Sequence, residues 1–413
     1  MKKLIKNKNY RLIFLGNVIS ILGDKLQDVV FMWYIYTLTN STILASISLI
    51  VNFIPKIIFS PLAGLVSDNY NRKHIIVICD MFNAVLAILL GLMIYFKFQV
   101  VTLFIITFLM NVVDTFYLPV GMSIIPQIVE KEDIISANSI NSVFNNGISI
   151  VAPVLAGILY VLISPVFIFI GSGILFIIAV SFEIFIKYDH DIEKNTKKEK
   201  VKINIRIINL FKKYIDGFRI IIDNKFLLFN AIIGGGIINF FLAPISIYIP
   251  VYVHDYLNYS STYFGIMSSA VTVGSLISAV FLIGLGKKFN KYLLVSLGFI
   301  FQGISLLLFG SLNNFIGGII SLIILGIALG ITGIYINTIV QEEIPNEILG
   351  RCISVIMIIS NISVPMGYLI GGYVINFIKL NLILIFSGFI ILVCGIISFF
   401  ILKKISVEKN IPA

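Results

Sequence analysis

Residues Lys187 to Lys225 read KYDHDIEKNTKKEKVKINIRIINLFKKYIDGFRIIIDNK, a charged interruption holding eleven of the thirty Lys and Arg residues. On either side the sequence returns to long apolar runs separated by short polar joints, six before it and six after it. Each run comes close to the roughly 20 apolar residues needed to cross a ~30 Å hydrocarbon layer. The expected architecture is an all-α membrane protein of twelve transmembrane helices in two six-helix bundles. Residues 1–187 form the N-terminal bundle, 188–226 a cytoplasmic linker, and 227–413 the C-terminal bundle with a short cytoplasmic tail.

Composition supports this reading. Hydrophobic residues make up 59% of the chain and charged residues 12%, against roughly 45–50% and 25% in soluble domains. The net charge of +10 does not form a basic stripe with interleaved aromatics, so no nucleic-acid partner is expected. The opening MKKLIKNKNYRLIFLGNVISILG imitates a signal peptide. The apolar run continues past Gly23, Asp24 and Lys25 without a small-residue cleavage site, so it reads as a retained first span. Cys79, Cys352 and Cys394 are isolated, and His74, His190 and His254 lack metal-ligand spacing. No disulfide framework, metal site or cofactor is expected.

The spans fall near 12–36, 42–66, 75–96, 100–121, 139–163 and 166–187, then 227–253, 262–285, 292–312, 315–340, 352–377 and 381–402. With the N-terminus in the cytoplasm, 26 Lys and Arg residues lie on that side, and only Lys97 and Lys379 lie opposite. This asymmetry follows the positive-inside rule and places both termini in the cytoplasm. Within the linker, Ile207, Leu210, Phe211, Tyr214, Ile215 and Phe218 follow helical spacing among charged residues. They predict an amphipathic helix on the inner membrane face. Small residues cluster at Gly234–Gly236, at Ser268, Ser269, Ala270 and Gly274, and in the Gly326-x-x-x-Gly330 motif. There they let helix backbones approach closely, since lipid gives helices no hydrophobic reason to associate. Pro119, Pro153, Pro244, Pro250 and Pro365 can supply bends.

The ionisable residues inside spans are unevenly divided. Asp24, Lys25, Asp28, Lys56, Asp80, Asp114 and Glu183 all fall in the first half, and no Asp, Glu, Lys or Arg falls inside a span of the second. A charge within a bilayer is costly and normally faces the bundle interior. Glu183, about one turn from the linker, is expected to snorkel outward. Asp24 lies about 18 Å into span one and Lys56 about 15 Å into span two, on adjacent helices. Asp24 and Asp28, four apart, share a face, with Lys25 pointing elsewhere. A mid-membrane cluster of Asp24, Asp28 and Lys56 follows, either titrating protons or locking two spans as a static salt bridge.

Gly64-Leu-Val-Ser-Asp68-Asn-Tyr-Asn-Arg72-Lys73 joins spans two and three. It resembles the cytoplasmic loop signature of the major facilitator superfamily, Gly-x-x-x-Asp-Arg-x-Gly-Arg-Lys. Gly64, Asp68, Arg72 and Lys73 match, while Asn69 and Asn71 depart from it. Ser20-x-x-Gly23-Asp24, Leu118-Pro119, Ile125-Pro126, Ala137-Asn138 and Pro153-x-x-Ala156-Gly157 follow in the first half. Ile344-Pro345, Gly350-Arg351, Pro365 and Gly371-Gly372 form a weaker echo in the second. The succession is similar to that of macrolide-efflux and related multidrug exporters. In the span-five antiporter pattern, Ile148, Ala152 and Ala156 replace three glycines.

The resemblance implies two pseudo-symmetric bundles that move a small molecule by alternating access. It also implies a conformational latch in which Asp68 faces the start of span eleven near Arg351 and Arg72 pairs with Asp114. The expected function is proton-coupled export of a lipophilic or amphipathic compound of macrolide type, by a monomer in the plasma membrane. Asp24 and Asp28 would carry the proton and Lys56 would poise them. Asn17, Gln27, Asn239, Phe240, Phe241 and Tyr248 would line the substrate cavity. A lysophospholipid or siderophore transporter of the same fold is the alternative, and a non-transporting membrane sensor or scaffold the alternative of another class. No Gly-x-x-x-x-Gly-Lys-Ser/Thr loop for an ATP-driven pump is present. The His count and spacing give no constellation for an enzyme.

Overall fold

The computed structural model of the chain describes residues 7–130, 133–187, 222, 224–285, 290–344 and 346–408. The described residues are overwhelmingly helical. Helix α1 (Lys8–Thr39) opens where the Asn7 side chain accepts the Tyr10 N–H, and stops at Asn40, whose φ of 48° is left-handed. Asparagine is one of the few residues other than glycine that take this conformation readily. Ser41 caps α2 (Thr42–Val51) in the same way.

The second span is not the continuous helix expected over 42–66. It breaks at Asn52 and Phe53, and α3 (Ile54–Asn69) starts afresh with Pro55 in its first turn. Proline is accommodated there because that N–H has no intrahelical partner to lose. Four long helices complete the first half: α4 (Arg72–Tyr95), α5 (Val100–Ile128), α6 (Ile134–Leu162) and α7 (Pro165–Glu183). Pro119, Pro126 and Pro153 lie inside helices that continue through them.

The second half begins with α8 (Lys225–Tyr256), capped by the Asn224 side chain on the N–H groups of Phe226 and Leu227. Within α8, Asn230–Ile238 and Tyr252–Tyr256 take the wider π-helical turn, and the Gly234–Gly236 triplet falls in the first of these. Then come α9 (Ser261–Leu285), α10 (Lys291–Ser311), α11 (Phe315–Glu343), α12 (Asn346–Val374) and α13 (Leu380–Glu408). Among the described residues, ten helical segments are long and apolar enough to cross a membrane. Large apolar side chains such as Phe82, Phe167, Phe386 and Phe400 stand more than half exposed. Helices apolar on their outer faces as well as their inner ones suit a lipid surround. The linker helix expected over 207–218 lies outside the described residues.

The chain divides into two compact units, Met1–Lys197 with Tyr259–Ile266, and Lys198–Asn258 with Met267–Ala413. In the first, α4 packs on α5 and α7, and α1 on α6 and α7. Its main core joins Val30, Phe31 and Ile35 of α1 to Ala87 and Leu90 of α4, Met110 of α5, and Phe169 and Phe176 of α7. A second cluster, with Tyr10, Ile76, Ile124 and Ile186, lies nearer the end where the unit's cations gather. At that basic end Asn9 exchanges two hydrogen bonds with the Lys187 backbone, at 2.9 and 3.0 Å. Asn7 donates to the Ile128 carbonyl and Lys73 to that of Ile184. The opening turn of α9 belongs to this unit: Ser261 donates to the Gly157 carbonyl at 2.8 Å, and Phe264 stacks on Trp33 at 4.9 Å.

In the second unit α10 packs on α11 and α13, and α8 on α12. Small residues set the contact between α9 and α11. A Cβ on Gly326 would fall 2.0 Å from the Val271 carbonyl oxygen, and one on Gly274 2.2 Å from that of Ile323. These are backbone atoms that cannot rotate away. The Gly326-x-x-x-Gly330 motif therefore sits in a close helix crossing, as its spacing suggested.

Candidate functional site

The first unit contains a small cleft lined by residues of α1, α2, α4, α5 and α7 and by the break after α2. Helix α1 contributes Asp24, Gln27, Asp28, Phe31 and Met32, which recur at the spacing that puts residues on one helical face. Helix α5 brings Thr107, Met110, Asn111 and Asp114, again at intervals of three and four. Ser48, Leu49 and Asn52 face them from the second span, with Leu90 and Phe169 completing an apolar wall.

The polar groups have defined partners. Asn52, at the helix break, accepts an N–H from Asn111 at 2.9 Å, and Asn83 donates to Asp114 at 2.8 Å. Gln27 is 6% exposed, and its Oε1 has no hydrogen-bond partner. Asp24 borders the cleft within electrostatic range of Asp114, Asp28, Asp80 and Lys25. Chemically this is a pocket with three carboxyls, several neutral amide and hydroxyl groups, and aromatic and Met walls that can pack against an apolar body. Among the described residues no group of three or more His, Cys, Asp or Glu is arranged to hold a metal ion.

Asp24, Asp28 and Gln27 thus meet as the sequence suggests, but their cation is different. Lys25, expected to point away, lies 3.6 Å from Asp28 on the same helix. Residues three apart are neighbours on a helix as much as those four apart. Lys56 is exposed in the first turn of α3. Among the described residues it forms no ion pair, acting only as a distant positive charge on Asp114. The helix break re-aims α3, so a depth estimate that counts through it does not apply.

The expected Arg72–Asp114 pair is not formed either. Arg72 donates to the Ser123 carbonyl at 3.0 Å, and Asp114 takes its hydrogen bond from Asn83. Ser123 lies nine residues beyond Asp114 on α5, roughly 13 Å along the axis and beyond an arginine's reach. Lys73 is tied to the end of α7, and a Cβ on Gly64 would meet nothing within 4 Å. The side chains of Asp68 and Arg351 lie outside the described residues.

Among the other cavity candidates, Asn17 accepts from the Tyr117 hydroxyl at 3.3 Å, away from the cleft. The second-unit residues do not line it. Phe240 meets Phe241 edge-on and Phe241 meets Phe386, while Tyr248 is 2% exposed beside Gly371. Asn239 occupies the turn that follows the first π-helical stretch of α8.

Glu183 does not snorkel. It is fully buried, its Cγ and Oε1 facing Gly16 of α1, and lies within hydrogen-bonding reach of Asp80, itself 1% exposed. The chain just past α7 is tied to α4 by Lys73 at Ile184 and to α1 by Asn9 at Lys187, and the last turn of α7 is inside the unit rather than at its rim.

Asn52, Thr107 and Asn111 line the cleft and Asn83 bonds to its Asp114, although none of the four is among the expected cavity residues. Polar residues inside apolar runs are the signal that could have found them, and Asn52-Phe-Ile-Pro55 could have marked the break.

The family model of the Major Facilitator Superfamily matches residues 13–367. The chain belongs to that superfamily. It is a multi-pass membrane transporter rather than an enzyme. Among its relatives, the transporter is 24% identical to the uncharacterized MFS-type transporter YvqJ of Bacillus subtilis, covering 98% of this chain and 95% of that protein. It is 22% identical to macrolide efflux protein A of Streptococcus pyogenes, covering 95% and 96%. Among solved structures it resembles a bacterial homologue of the iron transporter ferroportin in an inward-facing state. The TM-score there is 0.68 at 16% identity, over 96% of this chain and 98% of that one. A POT family transporter in complex with 5-aminolevulinic acid gives 0.71 at 13% identity, over 96% of each. At such identities the structures establish the shared fold alone.

Proposed function

We propose that the protein is a proton-coupled exporter of lipophilic or amphipathic compounds of the macrolide class, acting by alternating access. The observation that carries this reading is the cleft, where Asp24, Asp28 and Asp114 share a pocket with neutral amides and an apolar wall. Carboxyls can exchange protons, and the amides and aromatic groups can contact an apolar, weakly charged part of a guest. The relatives named for macrolide efflux match along nearly the whole chain and add support for the substrate class. The basic end of the first unit would face the cytoplasm, following the distribution of cations, and the membrane would be the plasma membrane.

Asp24 is the coupling group in this reading. It borders the cleft and has two further carboxyls beside it. A proton arriving there removes a charge from the pocket, and a cationic or amphipathic guest competes for the same place. Expression in a macrolide-sensitive bacterium should raise resistance to a macrolide such as erythromycin, and a protonophore should abolish the associated efflux. Unchanged susceptibility across macrolides and other lipophilic drugs would sink the substrate class. Efflux that persists after the proton gradient is collapsed would sink the coupling.

A further inference from the structure

One face of α1 carries Gly16, Ser20, Asp24 and Asp28 at intervals of four residues, about 6 Å apart along the axis. The last two border the cleft. The first two meet a different pair of acids, contributed by α4 and α7. Ser20 donates its hydroxyl to Asp80 Oδ1 at 3.0 Å, and Gly16 leaves the space that the Glu183 carboxyl fills. The two carboxyl groups lie within hydrogen-bonding reach of each other, with Asp80 1% and Glu183 0% exposed. Among the described residues no other donor reaches them: Asp80 Oδ2 and both Glu183 oxygens are without a partner.

An ionised carboxylate can only accept hydrogen bonds, so two of them side by side have nothing to offer each other. One proton between two buried acceptors gives partners to two of their three orphan oxygens. The carboxylic acid O–H then donates to the other carboxylate, and Ser20 supplies a second donor. No cation is placed to do the same work among the described residues. The titratable groups around the pair are Cys79 on α4, Asp24 on α1, and Asp114 and Tyr117 on α5. None carries positive charge.

We infer that Asp80 and Glu183 hold one shared proton and form a proton-binding site of the first unit separate from the cleft. The position is specific. Asp80 is about 12 Å from the start of α4 at the basic end, and its partner Ser20 is one turn from Asp24. The position of Glu183 also accounts for the glycine at 16, because a side chain there would collide with its Cγ at 2.9 Å. Occupancy of the site by a proton stands independently of the proposed export.

The experiment is infrared spectroscopy of the purified full-length protein in lipid bilayers, recording the carbonyl absorption of protonated carboxylic acids at neutral pH. The proton on the pair should give a band that is lost in Asp80→Asn and lost in Glu183→Gln. In either variant the new amide donates an N–H to the remaining carboxylate and no proton is needed. Asp24→Asn should leave this band in place, even if it abolishes transport, which separates the site from the coupling role proposed for the cleft. Ser20→Ala retains both acids and serves if the first two variants fail to fold. Its band should keep its intensity and shift in frequency, because one hydrogen bond to the pair is gone. A band unaffected by Asp80→Asn and Glu183→Gln would overturn the proposal, as would its disappearance in Asp24→Asn. An unshifted band in Ser20→Ala would overturn it as well.

Discussion

The two units of this transporter use polar side chains differently. The first gathers Asp24, Asp28 and Asp114 around a cleft, with Asp80 and Glu183 buried beneath it. In the second, the buried polar contacts among the described residues are neutral. Gln302 donates to Thr332 at 3.0 Å, and the hydroxyls of Ser296 and Ser398 meet at 3.2 Å. Ionisable pairs there stand at helix ends, as with Lys291 and Glu342. Close backbone approach at Gly274, Gly326 and Gly303 holds the second unit together. The contrast teaches that similar helical bundles can divide the labour. One places costly ionisable groups within its spans, and the other is held by close backbone packing.

The sharpest way to break this comparison is to overfill a crossing of the second unit. Gly326→Leu places its Cβ against the Val271 carbonyl and should destabilise the protein by about 3 kcal/mol. Loss of monodisperse protein and an earlier thermal unfolding transition would show it. Next in size is the first unit's polar network. Asn83→Leu removes the N–H given to Asp114 and should cost about 2 kcal/mol, the price of a buried group left unpaired. Thermal unfolding in detergent would measure it, and an unchanged transition would mean that Asp114 finds another donor.

A smaller effect is expected in the second unit. Gln302→Leu combined with Thr332→Val removes both members of a neutral pair and should cost only about 0.6 kcal/mol. A loss as large as that of Asn83→Leu would erase the distinction between the units. The smallest effect belongs to Gly333→Ala, on the same helix as Gly326. A Cβ there meets nothing within 4 Å, so the unfolding transition should move by less than about 0.5 kcal/mol.

Much of the fold was legible in the sequence because apolar run length is a direct physical requirement of a bilayer. The charged stretch from Lys187 separated the runs, and the loop from Gly64 to Lys73 pointed to the family. At the cleft, Asp24 and Asp28 were legible from helical spacing. What was not legible depended on how helices are broken and rotated. The interruption at Asn52 and Phe53 displaced Lys56 from the cluster, and Lys25 took its place beside Asp28. Glu183 read as a rim residue by its distance from the linker, yet the contacts of α7 with α1 and α4 bury it completely. The π-helical turns of α8 likewise have no simple period in sequence, although the Gly234–Gly236 triplet marks one of them.

In the proposed export cycle the first unit's cleft couples a proton to transport, with Asp24 as the coupling group. The most direct measurement uses proteoliposomes loaded with a pH-sensitive dye and the compound to which the protein confers resistance. Wild-type protein should show proton movement that starts and stops with transport of that compound. Asp24→Asn should still bind the compound but should lose the coupled proton flux. Full coupled flux in Asp24→Asn would contradict the account and move the coupling group elsewhere.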